Sequence, residues 1–113
     1  MIAIIDYKAG NIRSVENALK RFGAEYVLTA DPEMIRRADH VILPGVGEAS
    51  SAMKALESTG LAPVIKSLTQ PVLGICIGMQ LMCASSEEGD TECLGIFTPK
   101  VTRFSETPGV KIP

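Results

Sequence analysis

The sequence contains no tryptophan, a single histidine and only 4% aromatic residues, so any core it builds must be aliphatic. No run of eighteen apolar residues occurs, which excludes an ordinary membrane-spanning helix. The N-terminus lacks a basic region followed by a small-residue cleavage site, so no secretory leader is expected. Charge of one sign is also missing. Eleven Lys and Arg against thirteen Asp and Glu give −2, which offers nothing to nucleic acid or to an anionic membrane surface.

Cysteine is scarce. Cys76, Cys83 and Cys93 form neither a CxxC pair nor a zinc-ligand spacing. An odd count with no disulfide framework suits a reducing compartment, and a soluble cytoplasmic protein is expected. With His40 as the only histidine, no mixed Cys/His metal site is expected, and nothing calls for another cofactor.

What is present is a 46% hydrophobic chain of 113 residues, enough for one small domain over residues 1–113 with an unstapled core. Met1 to Asp6 is a near-continuous aliphatic run, as in a strand buried on both faces of a parallel sheet. After the loop Tyr7–Asn11, residues Ile12, Val15, Ala18, Leu19 and Phe22 recur at helical spacing, and Gly23 sits where a left-handed cap belongs. Tyr26 to Leu28 reads as a second strand. Asp31-Pro32 then opens a short helix that turns Met34 and Ile35 inward.

Val41 to Leu43 is a third strand, broken at Pro44-Gly45-Val46-Gly47. Helices are expected from about Glu48 to Leu56 and from Leu61 to Leu68. Pro71 leads into a fourth strand. Beyond residue 84 the pattern changes to a polar loop over residues 85–90, short strands at 94–97 and 101–104, and a turn at 106–109. The last residues look like the approach to another strand. Such alternation predicts an α/β fold, a doubly wound and mostly parallel sheet of flavodoxin-like type. In these sheets ligands sit beyond the carboxyl ends of the strands.

One stretch at those ends carries chemistry. In Leu73-Gly74-Ile75-Cys76-Ile77-Gly78-Met79-Gln80, an apolar strand runs into Gly-x-Cys-x-Gly and then into a helix-compatible run. This is the cysteine form of the nucleophile elbow. A side chain at Gly74 or Gly78 would crowd the neighbouring backbone, and helix N–H groups beside Cys76 favour thiolate over thiol. The plainer alternative makes Cys76 a small hydrophobe in a tight turn, though such a turn does not require glycine on both sides.

Acyl transfer also needs two N–H donors aimed at the developing oxyanion. Ile77, just after the nucleophile, would supply one and the glycine-rich 44–47 loop the other, the glycines on both sides of Val46 letting its peptide plane reorient. A cysteine nucleophile further needs a base. His40 sits at the opposite end of a neighbouring strand, about 13 Å away along the strand axis. On this reading the base is missing.

These residues, with Asp6-Tyr7-Lys8-Ala9-Gly10-Asn11-Ile12-Arg13-Ser14-Val15 and Pro44-Gly45-Val46-Gly47, resemble class I (triad) glutamine amidotransferases. Within that class they are most similar to the glutaminase subunits of imidazole glycerol phosphate synthase, over essentially the whole chain. The resemblance implies that Cys76 attacks the glutamine side-chain amide, forming a glutamyl thioester and releasing ammonia. It places the oxyanion donors on Val46 and Ile77, the glutamine pocket at Gly47 and Gln80, and a partner-facing loop at Tyr7 to Asn11. The implied partner, in a heterodimer, is a (β/α)₈-barrel cyclase that uses the ammonia in histidine biosynthesis. The family's His-x-Glu lies downstream of the matching segment, so the chain is expected to be an N-terminal portion, inactive alone. Rival readings are another class I glutaminase, such as that of the pyridoxal-phosphate pathway, and a non-catalytic flavodoxin-like binding module.

Overall fold

A computed structural model describes residues 1–8, 12–105 and 107–111. Four parallel strands form the main sheet: β1 (Ile2–Ile5), β2 (Tyr26–Thr29), β3 (His40–Leu43) and β4 (Val72–Gly74), in the order β2-β1-β3-β4. Between them run α1 (Arg13–Arg21), α2 (Pro32–Arg37), α3 (Ala49–Ser58) and α4 (Ala62–Ser67), and β4 feeds α5 (Ile77–Leu81). The chain first moves outward from β1 to β2, then returns across β1 to β3 and β4. Right-handed crossovers therefore place α1 on one face and α2, α3 and α4 on the other. The expected doubly wound sheet is present, with its switch point between β1 and β3.

The ends of these elements follow from local chemistry. Asp31 accepts the Glu33 amide at 3.0 Å and Pro32 occupies the first turn of α2. Gly23, at φ +69°, donates to Lys20 O while Ala24 donates to Leu19 O, closing α1 with a left-handed cap.

The two faces of the sheet are unequally covered. On one face Ala3, Ile5, Val41 and Leu43 pack with Ile35, Ala52, Met53, Leu56, Val64, Ile65 and Leu81 in one continuous core. Strand alternation carries Tyr7 onto that same face, where it is 1% exposed. On the opposite face Ile4 and Ile42 are buried but Leu73 is 58% exposed. The expected inward stripe of α1 is only partly so. Val15 and Leu19 are half-buried, Ala18 is exposed and Phe22 is 82% exposed. Topology leaves α1 as the one helix on its side among the described residues, so nothing closes over the far edge of its stripe.

Beyond α5 the structure departs from expectation. The polar stretch at 85–90 is not a plain loop. It begins a small sheet of β5 (Ser85–Ser86), β6 (Thr91–Glu92) and β7 (Lys100–Val101), in the order β6-β5-β7. Residues 94–97 are not a strand. Their amides are drawn to carbonyls at and just beyond the end of α5, with Leu94 N on Leu81 O, Phe97 N on Met82 O and Gly95 N on Cys83 O. The second expected strand shrinks to β7, and Phe104 is 73% exposed. Glu106 and residues 112–113, in the expected closing turn and final strand approach, lie outside the described residues. Among the described residues no helix is long and apolar enough to cross a membrane.

Candidate active site

The parallel ladder between β3 and β4 continues past both strands and builds the elbow. Ile75 N donates to Leu43 O at 3.0 Å and Ile77 N donates to Gly45 O at 3.2 Å. Cys76 sits between them at φ 54°, ψ −123°, a sparsely populated positive-φ conformation outside the left-handed helical basin, of the kind that costs about 1–3 kcal/mol. Its carbonyl accepts from Met79 and Gln80, so α5 starts at the cysteine itself. Cys76 is exposed, whereas Cys83 and Cys93 are buried. Burial, with Cys83 nearby, pushes the Cys93 thiol up.

Both flanking glycines are sterically required, as the sequence implied. A Cβ on Gly78 would lie 1.9 Å from Leu43 O, and one on Gly74 would lie 2.6 Å from Met79 Cα. The contacted atoms are backbone, so neither clash can relax cheaply.

The 44–47 loop lies beside the elbow at the end of β3. Pro44 and Gly45 are buried, while Val46 and Gly47 are exposed, Gly47 at φ +91°. A Cβ on Gly45 would meet Tyr7 Oη at 2.6 Å and Gly78 N at 2.8 Å, so this residue is held between β1 and the elbow. The Ile77 amide, expected to face the substrate, is engaged by Gly45 O in this structure. The Gly45 carbonyl and the Val46 N–H belong to one peptide plane. One rotation of that plane therefore releases the Ile77 donor and redirects the Val46 donor together.

Tyr7, expected on the partner face, serves the interior instead. Its ring is in the core and its hydroxyl donates to Pro44 O at 2.5 Å across the switch point. Burial pushes its pKa up to about 12, so the hydroxyl stays a donor at any physiological pH. The period-2 run Ala3, Ile5, Tyr7 was the available signal for this placement. Asn11, the other expected partner residue, lies outside the described residues. His40 is exposed at the start of β3, paired with Ile2 at the end of the sheet remote from Cys76.

Gln80 is half-buried and lines a cleft of about 670 Å³ with Ser86, Glu87, Glu88, Thr102 and Arg103. Gln80 is its one lining residue from α5, about one helical turn after Cys76. Glu88 was not anticipated. Its carboxylate accepts the Ala49 amide at 2.6 Å, tying the β5–β6 hairpin to the start of α3. Glu48 caps the same helix through Ser50, and these bonds hold its carboxyl below the usual glutamate value. No short-range sequence signal marks Glu88, because its partner is 39 residues away.

Residues 7–108 match the SNO glutamine amidotransferase family. The chain is 59% identical over 103 residues to the Bacteroides thetaiotaomicron protein named imidazole glycerol phosphate synthase subunit HisH, covering 91% of this chain and 53% of that one. It is 55% identical over 96 residues to subunit HisH 2 of Legionella pneumophila strain Paris, covering 85% and 48%. The chain thus spans about half the length of these curated relatives. A solved structure described as a glutamine amidotransferase superposes with a TM-score of 0.73 at 23% identity, covering 91% of this chain and 57% of that one. That likeness supports the fold. With the match running from the end of β1 through the elbow to the final turn, the chain belongs to the SNO glutamine amidotransferase family.

Proposed function

We propose that this chain carries the nucleophile half of a glutaminase that supplies ammonia to a cyclase subunit making imidazole glycerol phosphate. The observation that carries the proposal is Cys76, exposed at positive φ in a turn whose two glycines admit no Cβ. Strain of this kind persists where the surrounding structure over-determines it and where a reactive side chain must be presented.

In the proposed reaction the Cys76 sulfur attacks the side-chain amide carbon of glutamine, forming the C–S bond. The C–N bond then breaks, and the departing nitrogen takes a proton and leaves as ammonia. Water hydrolyses the thioester to glutamate and restores the thiol. The tetrahedral oxyanion is held by the N–H groups of Ile77 and Val46 once the 45–46 peptide has turned. Gly47 and Gln80 border the glutamine site.

The 113 residues supply no base for Cys76, since His40 is their only histidine and lies at the wrong end of β3. The proposal assigns the base to sequence of the kind that the longer relatives carry in addition. The relatives named HisH favour the synthase over other class I glutaminases. The proposal keeps a (β/α)₈-barrel cyclase as the partner and the cytoplasm as the compartment. Asn11 remains the proposed contact on the partner side.

The test is ammonia release by the natural full-length protein mixed with its cyclase. Glutamine hydrolysis is expected, falling at least about a thousandfold in Cys76→Ala. Residues 1–113 alone are expected to release none. A Cys76→Ala protein with undiminished activity would remove Cys76 from the mechanism.

A further inference from the structure

Tyr7 is a buried titratable group that the proposed reaction does not use, and its hydroxyl is committed to a single acceptor, Pro44 O. That carbonyl belongs to the 44–45 peptide, immediately before the plane that must turn. Proline has no N–H, so the Pro44 nitrogen cannot bond into the β3 ladder. The carbonyl is its one polar handle, and Tyr7 holds it. On its other side Gly45 abuts the elbow, at 2.8 Å from its would-be Cβ to Gly78 N. The loop is therefore fixed through residue 45 and open from Val46 onward, where a Cβ built on Gly47 meets nothing within 4 Å.

We propose that Tyr7 is a positioning residue for the oxyanion loop, its hydroxyl anchoring the Pro44 carbonyl so that the 45–46 peptide turns about a fixed point beside Cys76. This rests on the glutaminase reading. Without the anchor, motion spreads into the 44–45 peptide, and the Val46 donor spends less time at the position of the developing charge. Ground-state binding of glutamine through Gly47 and Gln80 is untouched, and so is the intrinsic reactivity of the thiol. The ring itself belongs to the core, so the informative change removes the oxygen alone.

The experiment is Tyr7→Phe in the natural full-length protein with its cyclase. The expected result is a fall in kcat for glutamine of about tenfold, with KM within about twofold and alkylation of Cys76 by iodoacetamide at the wild-type rate. Amide hydrogen exchange of Ile77, whose N–H is held by Gly45 O, is expected to quicken about tenfold, while α3 and β4 exchange as before. Unchanged kcat, or kcat and alkylation falling together with a general rise in exchange, overturns the proposal. The exchange measurement needs no turnover. If the wild-type protein hydrolyses no glutamine, the glutaminase reading fails, yet unaltered exchange at Ile77 still overturns the anchor by itself.

Discussion

The elbow at residues 74–78 and the loop at residues 44–47 lie side by side at the same end of the sheet, yet they are built oppositely. The elbow is locked on both sides of Cys76 by backbone contacts that leave no room for a methyl group. The loop is locked only to Gly45, and Val46 and Gly47 stand in the open. Under the proposed function the nucleophile is thus placed in advance, while the proposed donors for the oxyanion are one peptide rotation from their working positions. A site built this way can hold a reactive thiol without committing it to turnover.

The largest expected effect comes from breaking the locked side. Gly78→Ala drives a Cβ into Leu43 O, which is backbone of the central β3, and is expected to cost at least about 3 kcal/mol. Chemical denaturation of the full-length protein measures this, and a loss below about 1 kcal/mol would show that the elbow is not locked. Gly45→Ala sits at the boundary. Its Cβ meets the Tyr7 hydroxyl and Gly78 N, and a loss of about 1–3 kcal/mol is expected in the same measurement.

On the open side the sign reverses. Val46 has a negative φ here, and turning the 45–46 peptide by about half a turn carries that φ into the left-handed region that β-branched residues avoid. Val46→Gly removes a barrier of about 1–2 kcal/mol. Hydrolysis without the cyclase is expected to rise about five- to thirtyfold. Steady-state assay of the uncomplexed protein tests this, and a fall in the uncoupled rate would contradict the proposed rotation.

The smallest effect concerns the cap after the loop. The bonds from Ser50 lower the Glu48 pKa, so its contribution to stability is full above the ordinary value of 4.5 and is lost as pH falls through the lowered value. Thermal unfolding from pH 7 to pH 3 is expected to show a shallower acid loss in Glu48→Gln than in wild type. Identical profiles would mean that the cap contributes nothing.

The residue pattern made much of this legible because it is local. The aliphatic runs fall at β1 and β3, Asp31-Pro32 and Gly23 fall at helix ends, and the paired glycines of the elbow announced a turn with no room for side chains. What was hidden depends on partners far away in the chain. The bonds from Tyr7 to Pro44 and from Ala49 to Glu88 span 37 and 39 residues, and no spacing rule reaches that far. The two-residue strands β5 and β6 are too short to show a period. The apolar run at 94–97 looked like a strand because hydrophobicity does not record that α5 and its last turn leave carbonyls to satisfy. For Ile77 the sequence identified a donor but not the carbonyl that holds it.

The most direct test is covalent. The natural full-length protein, with its cyclase, is treated with a glutamine analogue carrying an electrophile in place of the side-chain amide, and the labelled peptide is identified by mass spectrometry. Stoichiometric labelling of Cys76, with Cys83 and Cys93 unmodified and protection by glutamine, is the predicted result. Equal labelling of all three cysteines, or none at Cys76, would contradict a placed nucleophile and leave the elbow as a structural turn.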